Sequence, residues 1–145
     1  MPTSDRSEIG QRFPARFDSD AWETDLARST PTGRQVADAA RRDYERGGIP
    51  VSHLKPCEPE GRDGNDLVNC IKAYVPHPDG KWGMVFMLKF EPHGRPVLMF
   101  LAFGVRHHPR ESHALNVYDY ANGRVLEIAA KDLRAQGPDA PSPPA

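Results

Sequence analysis

Two apolar runs, residues 82–90 and 96–105, constrain this chain more than any other feature. The first reads Trp-Gly-Met-Val-Phe-Met-Leu-Lys-Phe, the second Pro-Val-Leu-Met-Phe-Leu-Ala-Phe-Gly-Val, and Glu91-Pro-His-Gly-Arg95 lies between them. Apolar runs on both sides of a Gly/Pro turn predict a β-hairpin. In the first run Trp82, Met84, Phe86, Leu88 and Phe90 share one face. The other face is apolar at Val85 and Met87 and charged at Lys81, Lys89 and Glu91. The second run is apolar on both faces, as a central strand covered on two sides should be. It ends abruptly in Arg106-His-His-Pro-Arg110, so a buried strand delivers guanidinium and imidazole groups to a rim. Chemistry is expected there.

At 145 residues the chain is long enough for one core but not for two. No run approaches the ~18 apolar residues of a membrane span. Residues 1–8 show no apolar core of a secretory signal, so a cytoplasmic protein is expected, with no membrane partner. Cys57 and Cys70 are then expected as reduced thiols, a disulfide being the alternative. A formal net charge of −1 does not mark a nucleic-acid binder. Its distribution says more. Residues 72–110 hold six Lys/Arg and four His against Asp79 and Glu91, a local basic bias. Solvated charges on strand edges would read the same way.

Residues 1–18 are polar and without period, and read as a flexible arm. A short helix follows over 20–29, with an Asp20/Glu23 capping pattern and a Trp22/Leu26 pair. Thr30-Pro-Thr-Gly33 breaks it. A second helix runs over 34–46 with Val36, Ala39, Ala40 and Tyr44 as its stripe, ended by Gly47-Gly48. Arg34, Arg41, Arg42 and Arg46 form its solvated face, phosphate binding being the alternative. Residues 49–66 resemble a linker, with an extended piece at 51–54. A strand is expected over 67–75, and a helix over 114–121 that 125–135 could extend. Residues 136–145 are Pro-rich and read as a disordered tail. The expected fold is α+β: an N-terminal helical hairpin packed on a small antiparallel β-sheet, then a C-terminal helix, all in one domain over 19–135.

The strand end Gly104-Val-Arg106 and the segment Val117-Tyr-Asp-Tyr-Ala-Asn-Gly-Arg124, in this order of elements, resemble the RelE/ParE toxin superfamily of bacterial toxin–antitoxin systems. Leu54-Lys-Pro, Leu67-Val-Asn-Cys-Ile-Lys72 and Trp82-Gly-Met-Val-Phe86 extend the resemblance over about residues 33–127. The resemblance implies a RelE-like endoribonuclease that cuts RNA, ribosome-bound mRNA included, without metal or cofactor. Its catalytic groups would be Lys72 as strand cation, Arg106 as phosphate clamp and Tyr118 near the scissile bond. His107 or His108 would add proton transfer, since imidazole titrates near neutrality. Two departures stand out: the family's strand Arg falls on Gly83, and its second strand Lys on Tyr74. Lys81 and Lys89 lie on Gly83's face and could replace the lost cation, and Arg110 would complete the RNA-binding set. A cognate antitoxin is the implied protein partner, covering the face that carries Val85 and Met87.

Other readings compete with these. Tyr118 on an amphipathic helix could be a packing residue. Arg106 could close an ion pair with Glu111 or Asp119. His107, His108 and His113 could suggest zinc, but no thiolate or carboxylate at diagnostic spacing completes a set, and no metal is expected. No Gly-rich phosphate loop or nucleophile elbow is present. The alternative function is a non-catalytic, ParE-like module that acts through protein contact.

Overall fold

The computed structural model describes residues 11–17, 20–58, 63–64, 66–108 and 114–136. Seven strands and three helices appear among them. They are β1 (Arg12–Phe13), β2 (Ala15–Arg16), α1 (Asp20–Arg28), α2 (Pro31–Gly47), β3 (Ile49–Pro50), β4 (Leu54–Pro56), β5 (Cys70–Tyr74), β6 (Trp82–Phe90), β7 (Pro96–Val105) and α3 (Val117–Gln136). A 3-10 turn, Val51–His53, precedes β4.

The two apolar runs pair as β6 and β7 and occupy the middle of a five-stranded sheet in the order β2-β7-β6-β5-β4. Trp82, Met84 and Phe86 of β6 and Leu98, Phe100 and Phe103 of β7 turn one face toward α1 and α2. There they meet Trp22, Val36, Ala37, Ala40, Tyr44 and Phe17. Val85, Leu101 and Ala102 face the other way, against Val117, Tyr118 and Ala121 of α3. Both faces of β7 are therefore covered, as its unbroken hydrophobicity requires. Pairing slips once: Val85 opposes Ala102, but Phe86 opposes Phe100, which leaves Leu101 as the extra residue of a bulge. The slip shifts the alternation by one, so that Phe100 and Phe103 share a face.

A buried charge cluster locks this bulge. Asp25 of α1 is fully buried and accepts a hydrogen bond from the Phe103 amide at 2.8 Å. Arg124 of α3 grips the same carboxylate and also donates to the Leu101 carbonyl at 2.8 Å. Arg28 adds an ion pair to Asp25 at 2.7 Å and donates to the Phe103 carbonyl at 3.0 Å. β2 pairs with β7 only at Leu98 and Met99, so these side chains satisfy the edge that β2 leaves open.

Helix ends follow local chemistry. Thr30 caps α2 by accepting from the Gly33 amide, Pro31 opens the first turn, and Gly48 closes the helix at φ 81°. Asn116 accepts from the amides of Tyr118 and Asp119, while Asp119 accepts from the Asn116 amide. That reciprocal cap starts α3 at Val117 rather than at 114.

The α+β class holds, but two parts of the expected architecture are overturned. The sheet is mixed rather than antiparallel, because β2 runs parallel to β7. The helices do not form an N-terminal hairpin on a small sheet: β1 and β2 precede them, and α1 packs chiefly on β7. Strands of two residues carry no readable period, and β1, β2 and the buried Phe17 fall inside the segment expected to be an arm. β1 pairs instead with β3 in a separate two-stranded ribbon. The face expected to receive an antitoxin is also taken. Val85 is fully buried beneath α3, the chain's own helix. Smaller boundaries move too. β5 begins at Cys70, with Leu67 buried in the turn before it, and α3 runs without interruption through Gly123. No helix among the described residues is long and apolar enough to cross a membrane.

Candidate functional site

Tyr74, Gly83 and Gly104 stand in register across β5, β6 and β7 on the face that α3 covers. Two glycines beside one tyrosine leave a trough in the sheet. Arg106 fills it. Its amide continues the β6–β7 pairing by donating to the Lys81 carbonyl at 2.8 Å. The side chain then folds back over Gly83, where an added Cβ would lie 2.8 Å from Arg106 Cγ. The guanidinium rests on the Tyr74 ring, Cζ 3.9 Å from its centroid, with Nη1 donating to the Gly80 carbonyl at 3.3 Å. Arg106 Nε is buried and has no hydrogen-bond partner among the described residues.

Two lysines join the same ring. Lys55 Nζ lies 5.1 Å and Lys72 Nζ 5.9 Å from the Tyr74 centroid. These lysines are direct cross-strand partners in the β4–β5 ladder. Like charges in that relation destabilise a sheet, so an anion is needed nearby. Asp63 supplies part of it, pairing with Lys72 at 2.8 Å with both side chains almost fully buried. Burial alone would lower the Lys72 pKa, but the hydrogen bond to Asp63 and the nearby Tyr118 and Asp63 charges raise it overall. Lys72 therefore stays charged and is held by a carboxylate. Among the described residues three cations, Arg106, Lys55 and Lys72, converge here against the Asp63 carboxylate, a net positive balance.

Tyr118, at the first turn of α3, closes the trough. It is 3% exposed and its ring lies 5.4 Å from Lys72 Nζ. Burial raises its pKa above the ordinary tyrosine value, while a hydrogen bond with Arg106 and the Lys72 charge oppose the rise. The phenol thus stays protonated at neutral pH and can donate. His107 is exposed, with its ring centroid 6.2 Å from that of Tyr118.

The structure thus brings Arg106, Tyr118, Lys72 and His107 into one cluster. His108 does not join it but lines a separate cleft with Arg28, Trp82 and Tyr120. Lys81 sits at the rim, its ammonium 5.4 Å from the Trp82 ring. Lys89, paired with Val97 and exposed, lies seven residues or ~23 Å along β6 from Trp82, too far to join. Arg110, Glu111 and His113 lie outside the described residues. Asp119, one of the partners weighed for Arg106, instead caps α3. Lys55 and Asp63 escaped the sequence reading, and Tyr74 entered it only as a departure. Lys55 appeared only within Leu54-Lys-Pro, and its pairing with Lys72 is a long-range contact that no local pattern shows; Asp63, inside a linker-like stretch, gave no signal. Arg124, the last residue of the Val-Tyr-x-x-Ala-x-x-Arg motif, proves to be a structural clamp on Asp25.

Cys57 and Cys70 are free, buried thiols. Among the described residues no three His, Cys, Asp or Glu side chains gather in an arrangement that could hold a metal ion. Comparison with known proteins returns no match to a family model, a curated protein or a solved structure.

Proposed function

We propose that this chain is a RelE-like endoribonuclease that cuts single-stranded RNA in the cytoplasm without a metal. The observation that carries this reading is the convergence of Arg106, Lys55 and Lys72 on Tyr74, beside a protonated phenol and an exposed imidazole. A net positive trough attracts a phosphodiester, and Arg106 holds its non-bridging oxygens where negative charge grows. The ribose 2′-oxygen attacks phosphorus as His107 accepts the 2′-hydroxyl proton. The bond from phosphorus to the 5′-oxygen breaks, and Tyr118 donates its proton to that oxygen. Arg106 and Lys72 stabilise the resulting phenolate until it is reprotonated. Products are a 2′,3′-cyclic phosphate and a 5′-hydroxyl. Gly83, a departure from the family pattern, fits this account because it clears the path by which Arg106 reaches the site.

The test is incubation with end-labelled RNA in EDTA beside the same RNA fully 2′-O-methylated. Fragments with 2′,3′-cyclic phosphate ends from the first alone are expected. No cleavage, or equal cleavage of the methylated strand, overturns the reading.

A second observation favours protein contact. Leu126 and Leu133, seven residues apart on one side of α3, are 57% and 70% exposed. A cognate antitoxin, or a protein target in the ParE-like alternative, would dock on this stripe instead of on the covered Val85 face. Co-expression with the chain encoded next to it would test that. A complex that survives in wild type and is lost in Leu126→Asp/Leu133→Asp supports the surface; an unchanged complex removes it.

A further inference from the structure

The two adjacent histidines serve different surroundings. His107 meets Tyr118, whereas His108 lines a cleft of about 260 Å³ with Arg28, Val105, Leu115 and Tyr120. We infer that this cleft holds the nucleobase flanking the scissile phosphate of a single-stranded RNA. The identity of the strand rests on the ribonuclease reading; the cleft itself does not.

Arg28 is the reason. Its Cζ lies 3.4 Å from the Tyr120 ring centroid, its Nη1 pairs with Asp25 at 2.7 Å, and its Nη2 donates to the Phe103 carbonyl at 3.0 Å. Three restraints fix a planar cation, yet its side chain stays 29% exposed. A guanidinium plane held still in this way is a stacking surface for a base, and no side-chain entropy remains to be lost on binding. His108 adds a second flat group to the lining. Val105 and the half-exposed Leu115 supply apolar walls. Trp82 is a wall rather than a platform, since its ring stacks on Phe103 and its indole N–H donates to Asp79. Among the described residues no carboxylate lines the cleft, which suits a strand whose backbone is anionic. Its volume falls below the ~300–1,000 Å³ of whole-ligand pockets, which suits one ring system.

Position ties the cleft to the chemistry. Val105 and His108 line it, and Arg106 and His107 of the phosphate site lie between them in the chain. A strand whose phosphate meets Arg106 can therefore place a neighbouring base in the cleft.

The experiment measures binding, not cleavage. Fluorescence anisotropy follows a set of non-cleavable 2′-deoxy octanucleotides, each with an abasic residue at one position, binding to wild type, His108→Ala and Arg28→Lys. Arg28→Lys keeps the charge that pairs with Asp25 and loses the plane; an unchanged melting temperature confirms its fold. One abasic position is expected to weaken wild-type binding by about 5- to 150-fold, the range of one base–aromatic stack. The variants should bind the intact strand more weakly and show little further loss at that position. Equal binding of intact and abasic strands by wild type, or an abasic penalty unchanged in both variants, overturns the cleft's role. So does no binding at all. An abasic penalty without RNA cleavage would leave the cleft standing and sink the ribonuclease reading, whereas cleavage without a penalty does the reverse.

Discussion

The Arg106 guanidinium lies 3.9 Å over the ring of Tyr74, and it reaches that ring across Gly83, where no side chain stands in the way. The arginine comes from the end of β7, the tyrosine from β5, and β6 lies between them. Gly83 is the second residue of β6, a central strand; a glycine inside a strand weakens it, so its presence signals close approach of another group.

Gly83→Ala should therefore displace Arg106. The new Cβ would meet Arg106 Cγ at 2.8 Å, and Cγ is too near the backbone to swing aside freely. A 10-fold or greater fall in RNA cleavage is expected, with unfolding free energy lowered by no more than about 1–3 kcal/mol, the range for overpacking. Full activity in this variant would mean that the position of Arg106 over Tyr74 is immaterial.

Asp63 and Lys72 form a buried pair, so losing one partner strands the other. Asp63→Asn should cost about 3–5 kcal/mol in urea unfolding. The Lys72 pKa is raised in the folded state. Its contribution is thus complete below the unfolded lysine value near 10.4 and is lost as pH climbs through the higher folded value. Wild type should lose more stability than Lys72→Met as pH rises above about 10. Parallel curves would remove the pair from the account.

Asp25 ties α1, the β7 bulge and, through Arg124, α3. Asp25→Ala should destabilise by at least the about 3–5 kcal/mol of a broken buried pair, and the chain is expected to lose cooperative unfolding. A variant that melts like wild type would show that the bulge holds without the clasp.

Much of the scaffold was legible because burial leaves a periodic mark. The double-faced run 96–105 announced a central strand, and residues 34–46 announced α2. Arg106, His107 and Tyr118 were singled out because a hydrophobic strand breaks off at the first two and the segment that resembles the RelE/ParE pattern holds the third. What was hidden depends on long-range pairing. The parallel β2 is two residues long, Asp63 sits in a linker-like stretch, and Asp25 looks like any acidic residue on a helix. Its burial follows from a bulge that no local pattern encodes. The sequence offered the adjacent histidines as alternatives for one role, and the structure sets His107 beside Tyr118 and His108 in the lining of a separate cleft.

Burial pushes the Cys57 thiol up to about 12 and the Cys70 thiol to about 11. Little thiolate exists at pH 8, so native protein should react with a thiol reagent far more slowly than unfolded protein. Stoichiometric labelling of native protein within minutes would contradict the packing of this pair.

The most direct test of the central claim compares RNA cleavage rates of wild type, Arg106→Ala and Tyr118→Phe in EDTA at pH 7. Arg106 is a partly exposed rim residue and Tyr118→Phe keeps the ring, so melting temperatures should stay close to wild type. Arg106→Ala should fall by about 10²–10³-fold, as for loss of a transition-state charge donor, and Tyr118→Phe by at least 10-fold. Cleavage at the wild-type rate by both variants, or none by wild type, would contradict the assignment of this trough as a ribonuclease site.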